Sequence, residues 1–461
     1  MNRKLLTITL TLICCIQIAL SQTPVVQTKF TADPAPLVYR DTVYLYTGHD
    51  DDLALGFKMK DWLLYTSTDM VNWTDHGAVA YMKNFKWANS DNGAWASQCV
   101  ERNGKFYLYC SMPNAMGIGV LVADSPYGPF KDPIGKPLIK NSMEDIDPTI
   151  LIDDDGQAYL YWGNPNLWYV KLNEDMISIS GDLIKDSSFA KIKGSSDPFH
   201  YQEGPWAWKR KGKYYMAYAS TCCPEGIGYA VGETARGPWK YAGMIMDGDP
   251  RSAGNHPGII DYKGKSYVFG FDQTLRIKTM SQPYERRSVR VKELRYKADG
   301  TIEKLPFWTS EDLKGVGTIN PYQNVKAVTM AYSEGVKTDL ATDLGRVKPA
   351  ENGGKTPKGM VLTTIHNGDY IKVRDVNFSK GVSALEVLVA ALYGGQIEVR
   401  KDAIDGPVLG VVEITNKGEG DVWRTIKTPF KSLTGLHDLY FLFKGKNDLF
   451  YFDSWQFTGN Q

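Results

Sequence analysis

The sequence predicts an all-β protein, a five-bladed β-propeller over residues 22–315 followed by a jelly-roll β-sandwich over residues 322–461. Three observations predict this division. One hairpin unit recurs five times in the earlier part of the chain, and every copy opens on a polar or aromatic residue in the same place. After the segment LPFWTSEDLKGVGTINPYQN the units stop and short alternating strands with Gly and Asp turns take over.

The first unit reads DPAPLVYRDTVYLYTG from Asp33, the second WASQCVERNGKFYLYCS from Trp95 and the third DPTILIDDDGQAYLYWG from Asp147. The fourth is EGPWAWKRKGKYYMAYAS from Glu203 and the fifth HPGIIDYKGKSYVFGF from His256. Each is a leader, a short apolar strand, a turn (RD, ERNG, DDDG, KRKG, YKG) and an aromatic second strand, which is hairpin chemistry. The leaders recur at intervals of roughly 50 to 60 residues, in the range of propeller blades. LLYTSTDMVNWTDHG, IGVLVADSPYGPF, LWYVKLNEDMISI and IGYAVGETARGPW supply the outer strands. A plain sandwich of hairpins would leave the fixed place of the leader unexplained. In the second part GDYIKVRDVNF, ALEVLVAAL, GQIEVRKD, VWRTIKTPF, LHDLYFLFKG and LFYFDSWQF alternate with the period of two that half-buried strands need.

Composition narrows the function. The formal net charge is +1 with no basic block, so nothing in the chain attracts nucleic acid or an anionic membrane. The 27 Tyr, 17 Phe and 12 Trp exceed what a core needs and suit a β-rich protein or a surface that stacks on sugar rings. Residues 1–21 read as a signal peptide: Arg3 and Lys4 precede an apolar run from Leu5 to Leu20, and Ala19 and Ser21 are the small residues of a cleavage site before Gln22. The expected location is therefore secreted or periplasmic, with no later stretch able to span a bilayer. Four cysteines remain after the leader, Cys99, Cys110, Cys222 and Cys223; they make neither a disulfide framework nor a zinc site and are expected as packed thiols.

In a propeller the innermost strands run along the central axis, so Asp33, Trp95, Asp147, Glu203 and His256 should meet around one pocket. Three convergent carboxylates, without a Ser–His nucleophile pair, point to cleavage of a glycosidic bond. That reaction needs one carboxylic acid to protonate the leaving oxygen and one carboxylate to activate water or to attack. The residues alone do not distribute the roles, and Asp before Pro also serves simply as a strand entry.

At these positions the chain resembles glycoside hydrolase family 43, over about residues 25–300. TADPAPLVYRDTVYLYTGHD, DIDPTILIDDDGQAYLYWG and EGPWAWKRKGKYYMAYAS are similar to three motifs of that family, in order. The resemblance implies Asp33 as general base, Asp147 as the residue that orients the acid and raises its pKa, Glu203 as general acid, and an inverting mechanism without a covalent intermediate. It implies a structural calcium or sodium ion on the axis near His256, not required for the chemistry. It also implies that Arg287, in ERRSVRVKEL, reaches the substrate, with Arg286 before it where relatives often have His. Trp95 is the natural stacking platform, although this chain reads Trp-Ala-Ser where relatives often read Trp-Ala-Pro. Asp153, Asp154 and Asp155 form an acidic cluster but sit at a hairpin tip, where solvated turn residues are expected.

Residues 322–458 resemble carbohydrate-binding module family 6 through GDYIKVRDVNF and FDSWQF. Such modules clamp a sugar between two aromatic rings, and Trp423 and Tyr370 are the matching candidates. Tyr451 stands where binders often have Asn, and Val328 where a calcium-binding Glu is common. The function implied is an exo-acting α-L-arabinofuranosidase on arabinoxylan or arabinan side chains of plant cell-wall polysaccharide. β-Xylosidase is the neighbouring alternative, and a non-catalytic glycan-binding protein is the alternative of another class.

Overall fold

The computed structural model describes residues 24–459, except 114–115, 190–199, 253–254, 282–284, 309–312, 346, 351–353, 417–420 and 447. The expected signal peptide lies outside the described residues. The first part of the chain forms consecutive antiparallel sheets. They are β1–β4 (Phe30–Tyr39, Thr42–Asp50, Asp61–Ser67, Trp73–Tyr81) and β5–β7 (Ser97–Arg102, Lys105–Met112, Gly117–Ala123). Next come β8–β11 (Thr149–Ile152, Ala158–Trp162, Trp168–Leu172, Ile179–Lys185) and β12–β15 (Tyr201–Arg210, Lys213–Ser220, Gly226–Gly232, Trp239–Met246). The last is β16–β18 (Gly258–Tyr262, Lys265–Asp272, Ser288–Leu294). The opening strand of each sheet touches that of the next: β1 meets β5, then β8, β12 and β16 follow, and β16 returns to β1. This closed ring around one axis is a β-propeller.

The repeated hairpins are the inner strand pairs of the sheets. Asn103-Gly104, Lys211-Gly212 and Lys263-Gly264 each form a two-residue turn with both φ positive. That is the type I′ geometry whose twist matches paired strands. Both leader aspartates depart from ordinary strand geometry. Asp33 has φ 48° and Asp147 φ 59°, and the β1–β2 register shifts between Ala32 and Ala35. A parallel departure occurs at Glu203, where the register shifts between Glu203 and Trp206 and Gly204 has φ 59°. A bulge of this kind takes one residue out of the ladder and re-aims its side chain. Left-handed backbone at a non-glycine residue costs about 1 kcal/mol or more and marks a constrained place.

The second part is a sandwich of two sheets. One contains Met360–Thr363, Phe450–Thr458, Ala384–Ala391 and Asp421–Pro429; the other contains Tyr370–Phe378, Gly435–Lys444, Gly395–Lys401 and Val408–Ile414. Ile371, Val387, Val389, Phe441 and Trp455 fill the core between them. A short strand, Thr329–Met330, pairs with β4 and extends the first propeller sheet, so the two parts share backbone hydrogen bonds. Beside it Lys29 pairs with Asp75 of β4 at 3.0 Å and reaches across to the Thr338 carbonyl at 2.9 Å, in a partly buried contact.

Two expectations are corrected here. Tyr370 and Trp423 do not form a clamp. Strand alternation puts Ile371 in the core, so Tyr370 points outward from its sheet, beside Tyr332 and Tyr440 with ring centroids 5.6 and 6.1 Å away. Trp423 pairs with Ala390 on the outer face of the opposite sheet and is only 3% exposed, clustered with Val361, Leu388, Leu344 and Val347. The rings therefore lie on opposite sides of the sandwich, and Trp423 offers no open face. The cysteines are the second case. Cys99 and Cys110 are buried free thiols, but Cys222 and Cys223 form a disulfide with each other. They sit exposed in the β13–β14 turn, where no ladder constrains the backbone.

Candidate active site

Around the axis the structure brings together Asp33 from β1, Asp147 just before β8, Glu203 from β12 and His256 just before β16. The His256 ring is the common neighbour. Its Nε2 donates to Glu203 Oε1 at 3.1 Å and lies 3.9 Å from Asp147 Oδ2, while Nδ1 faces Asp33 Oδ1 at 3.5 Å. Asp147 Oδ2 also accepts the Gly204 N–H at 3.2 Å, which ties it to the residue after Glu203. Any side chain at Gly204 would strike the His256 ring, with a Cβ 2.7 Å from Cγ, so a glycine is needed for this approach.

Burial pushes the Asp147 carboxyl up to about 7, with the Glu203 and Asp33 carboxylates adding to the push and His256 opposing it. Burial works the same way on Glu203. There the hydrogen bond and charge of His256, the Asn164 amide and the Arg287 charge outweigh it and hold the carboxyl below its ordinary range. Burial alone would lower His256, but Asp147, Asp33 and Glu203 together raise it to about 10, so the ring is an imidazolium at neutral pH. Of the two neighbouring carboxyls it is Asp147 that is raised; its side chain is 5% exposed, whereas that of Glu203 keeps 20%.

Arg287 also joins the site. Its Nη1 donates to Asp33 Oδ1 at 3.1 Å, while Nε and Nη2 grip Asp50 at 3.1 and 2.9 Å. Asp50 accepts the Arg287 backbone N–H as well, at 2.8 Å. The neighbouring Arg286, fully buried, donates instead to the carbonyls of Ala54 and Gly56 at the β2–β3 loop. Trp95 is half-buried, its carbonyl accepting from Trp62 at 2.7 Å and its ring 6.3 Å from Phe57. Asp50, Asn164 and Phe57 were not singled out from the sequence. Asp50 and Asn164 sit at and just after the ends of β2 and β9, and a hairpin's second strand returns to the end where its leader began. That rule would have pointed to both.

Asp147, Glu203 and His256 present ligand atoms within 4.8 Å of one another, an acidic group able to attract a cation. His256 and the two carboxylates are the residues that would hold an axial ion; calcium prefers oxygen ligands, so the carboxylates and water would supply most of its shell, and the ring could donate only as the neutral imidazole. The same His256 lines, with Asp33, Pro34, Asp147, Pro148 and Pro257, a cavity of about 20 Å³, room for about one water. Asp153 and Asp154 instead pair with Lys209 at 2.6 and 2.8 Å, as turn residues.

Both parts of the chain are similar to known proteins. Residues 21–302 match the glycosyl hydrolases family 43 and residues 326–459 match the carbohydrate binding module (family 6). The arabinoxylan arabinofuranohydrolase of Paenibacillus polymyxa is 33% identical, over 95% of this chain and 74% of that protein. The Bacillus subtilis (strain 168) protein of the same name is 32% identical, over 94% and 92%. A β-xylosidase of Xylanibacter ruminicola is 31% identical over 59% of this chain and 96% of its own. Among solved structures, a family 43 arabinoxylan arabinofuranohydrolase from Bacillus subtilis in complex with cellotetraose superposes with a TM-score of 0.80 at 30% identity, covering 96% of this chain and 98% of that one. The chain belongs to glycosyl hydrolases family 43 and carries a family 6 carbohydrate-binding module behind its catalytic propeller.

Proposed function

We propose that the protein is an exo-acting, inverting α-L-arabinofuranosidase that removes arabinose side chains from arabinoxylan or arabinan. The observation that carries this reading is the set Asp33, Asp147 and Glu203 gathered around His256. Asp33, fixed by Arg287, takes a proton from a water as that water attacks the anomeric carbon. The proton that the Asp147–Glu203 pair holds passes through Glu203 to the glycosidic oxygen as the carbon–oxygen bond breaks, so one proton is taken up and one released. Asp147 orients the acid through the Gly204 N–H and holds a proton beside it. The imidazole between Asp33 and Glu203 keeps the carboxyls apart, at most about 9 Å across the ring, which is compatible with the roughly 6.5–9.5 Å that leaves room for an attacking water.

Arabinofuranoside specificity is favoured over xyloside because the likeness to the two arabinofuranohydrolases runs through propeller and module, whereas the β-xylosidase match covers 59% of the chain. A calcium ion near the axis would be structural, held through water. The basic start and apolar run of residues 1–21 support action outside the cytoplasm, on plant cell-wall polysaccharide. Hydrolysis of p-nitrophenyl α-L-arabinofuranoside compared with p-nitrophenyl β-D-xyloside tests the reading. Preference for the xyloside overturns the specificity. Binding without turnover of either, or of arabinoxylan and arabinan oligosaccharides, overturns the catalytic assignment in favour of a glycan-binding protein.

A further inference from the structure

The loop between β2 and β3 carries three exposed apolar side chains at the edge of the site. Leu53 is 91% exposed, Leu55 88% and Phe57 41%. Single exposed leucines need no explanation, but three exposed apolar side chains on one anchored loop do. Asp51 N–H donates to the Lys58 carbonyl at 2.9 Å, and the Asp51 carboxylate accepts from Leu53 and Ala54 N–H at 3.0 and 3.1 Å. Buried Arg286 holds the carbonyls of Ala54 and Gly56. Met59 is buried, and its carbonyl accepts from Gly93 and Ala94 at 2.7 and 3.0 Å. Burial alternates along the loop: Ala54, Gly56 and Lys58 are covered in part, while Leu53, Leu55 and Phe57 face water. The backbone ties fix that alternation, so the leucines are presented to solvent.

Phe57 makes the patch continuous with the catalytic centre. Its ring lies 6.3 Å from Trp95, and the Arg287 guanidinium sits 5.3 Å from its centroid while bonding Asp33 at 3.1 Å.

We propose that Leu53, Leu55 and Phe57 form a platform for the polysaccharide backbone that remains after the terminal sugar is cleaved, taking the apolar C–H face of its sugar rings. This rests on the reading of Asp33 and Glu203 as a glycosidase pair. An exo-acting pocket holds only the departing sugar, so the backbone must lie on the rim, and Phe57 joins this apolar loop to Arg287 and Trp95 there.

The test measures kcat and KM of the full chain and of a Leu53→Ser/Leu55→Ser double variant, on soluble arabinoxylan and on p-nitrophenyl α-L-arabinofuranoside, with melting temperatures alongside. The platform predicts a KM on polymer raised about tenfold, the change that ~1.4 kcal/mol of lost contact gives. It also predicts kcat/KM on the small glycoside within about twofold and an unchanged melting temperature. Phe57→Ala, which also removes a neighbour of Arg287, should weaken both substrates but the polymer more. An unchanged polymer KM overturns the platform, as does an equal loss on both substrates in the double variant. A wild-type dimer that the double variant converts to a monomer overturns it in favour of contact between two copies of the chain. A wild-type enzyme inactive on both substrates overturns the reading of the site itself, and the platform with it.

Discussion

His256 donates to Glu203 at 3.1 Å, so the carboxyl assigned to protonate the leaving group is held, before substrate arrives, by a cation. The same ring faces Asp33 at 3.5 Å. One imidazolium thus stands between the acid and the base and partly neutralises the carboxylates that the propeller axis forces together. Bulged leader positions create the crowding and a fifth leader relieves it.

His256→Gln tests that role through pH. Losing the positive charge removes the influence that lowers both Asp147 and Glu203, so both carboxyls rise. The wild-type rate should fall as pH climbs past the Asp147 value of about 7, where the Asp147–Glu203 pair gives up its proton. In the variant this basic limb should move up by about one unit or more. A limb that stays in place or moves down would show that the ring does not set the protonation of the pair.

Glu203→Gln should lower kcat on arabinoxylan by about 10³-fold while leaving binding of the product sugar intact. The loss should be smaller on p-nitrophenyl arabinofuranoside, whose leaving group needs little protonation. An equal loss on both substrates would remove Glu203 from the role of acid. Comparing the two substrates separates proton donation from general damage to the site.

Arg287 grips Asp50 through two guanidinium nitrogens and Asp33 through the third. Lysine cannot reproduce that planar fork. Arg287→Lys should therefore reduce kcat/KM by about 10²-fold or more, as a displaced base costs. Asp50→Asn should act through Arg287, lowering kcat with KM nearly unchanged. A rise in KM alone would make Asp50 a substrate contact and not a positioning residue.

Chelation is expected to leave kcat within about twofold, because a hydrated axial ion supplies no step of the reaction. Activity that vanishes in EDTA and returns with calcium would overturn that.

The ring of hairpins was legible in the sequence because each unit repeats a leader, an apolar strand and a turn. Lys211-Gly212 and Lys263-Gly264 adopt the positive-φ turns that their composition demands. The convergence of Asp33, Asp147, Glu203 and His256 followed from the same repeat. What the sequence hid depends on which way a strand faces or on charge balance. Trp423 reads as a binding residue, yet its place opposite Ala390 puts it beneath Leu344 and Val347. The identity of the raised carboxyl turns on how many neighbours His256 serves, which no linear motif encodes. Phe57 lies in a loop without repeat or motif, so only its contacts with Arg287 and Trp95 bring it forward.

The junction between propeller and module yields a stability prediction. Asp75 is 5% exposed, and its carboxylate faces Lys29 at 3.0 Å and Thr338 Oγ1 at 2.6 Å. Burial opposes its ionisation, but the Lys29 charge with the Thr338 and Gly77 hydrogen bonds prevails and lowers the carboxyl below its ordinary 3.8. A depressed carboxyl contributes stability that is present above the unfolded value and is lost as pH falls through the folded one. The junction should therefore weaken only below about pH 4, not across the neutral range. Lys29→Met leaves a buried carboxylate without its cation and should cost about 3–5 kcal/mol, read as a lower melting temperature at pH 7. Pairing it with Asp75→Leu removes the stranded charge as well, and the double variant should recover most of the loss. If the double variant is as unstable as the single one, packing at Met330 and Val328, and not the Lys29–Asp75 pair that Thr338 caps from the module, holds the two parts together.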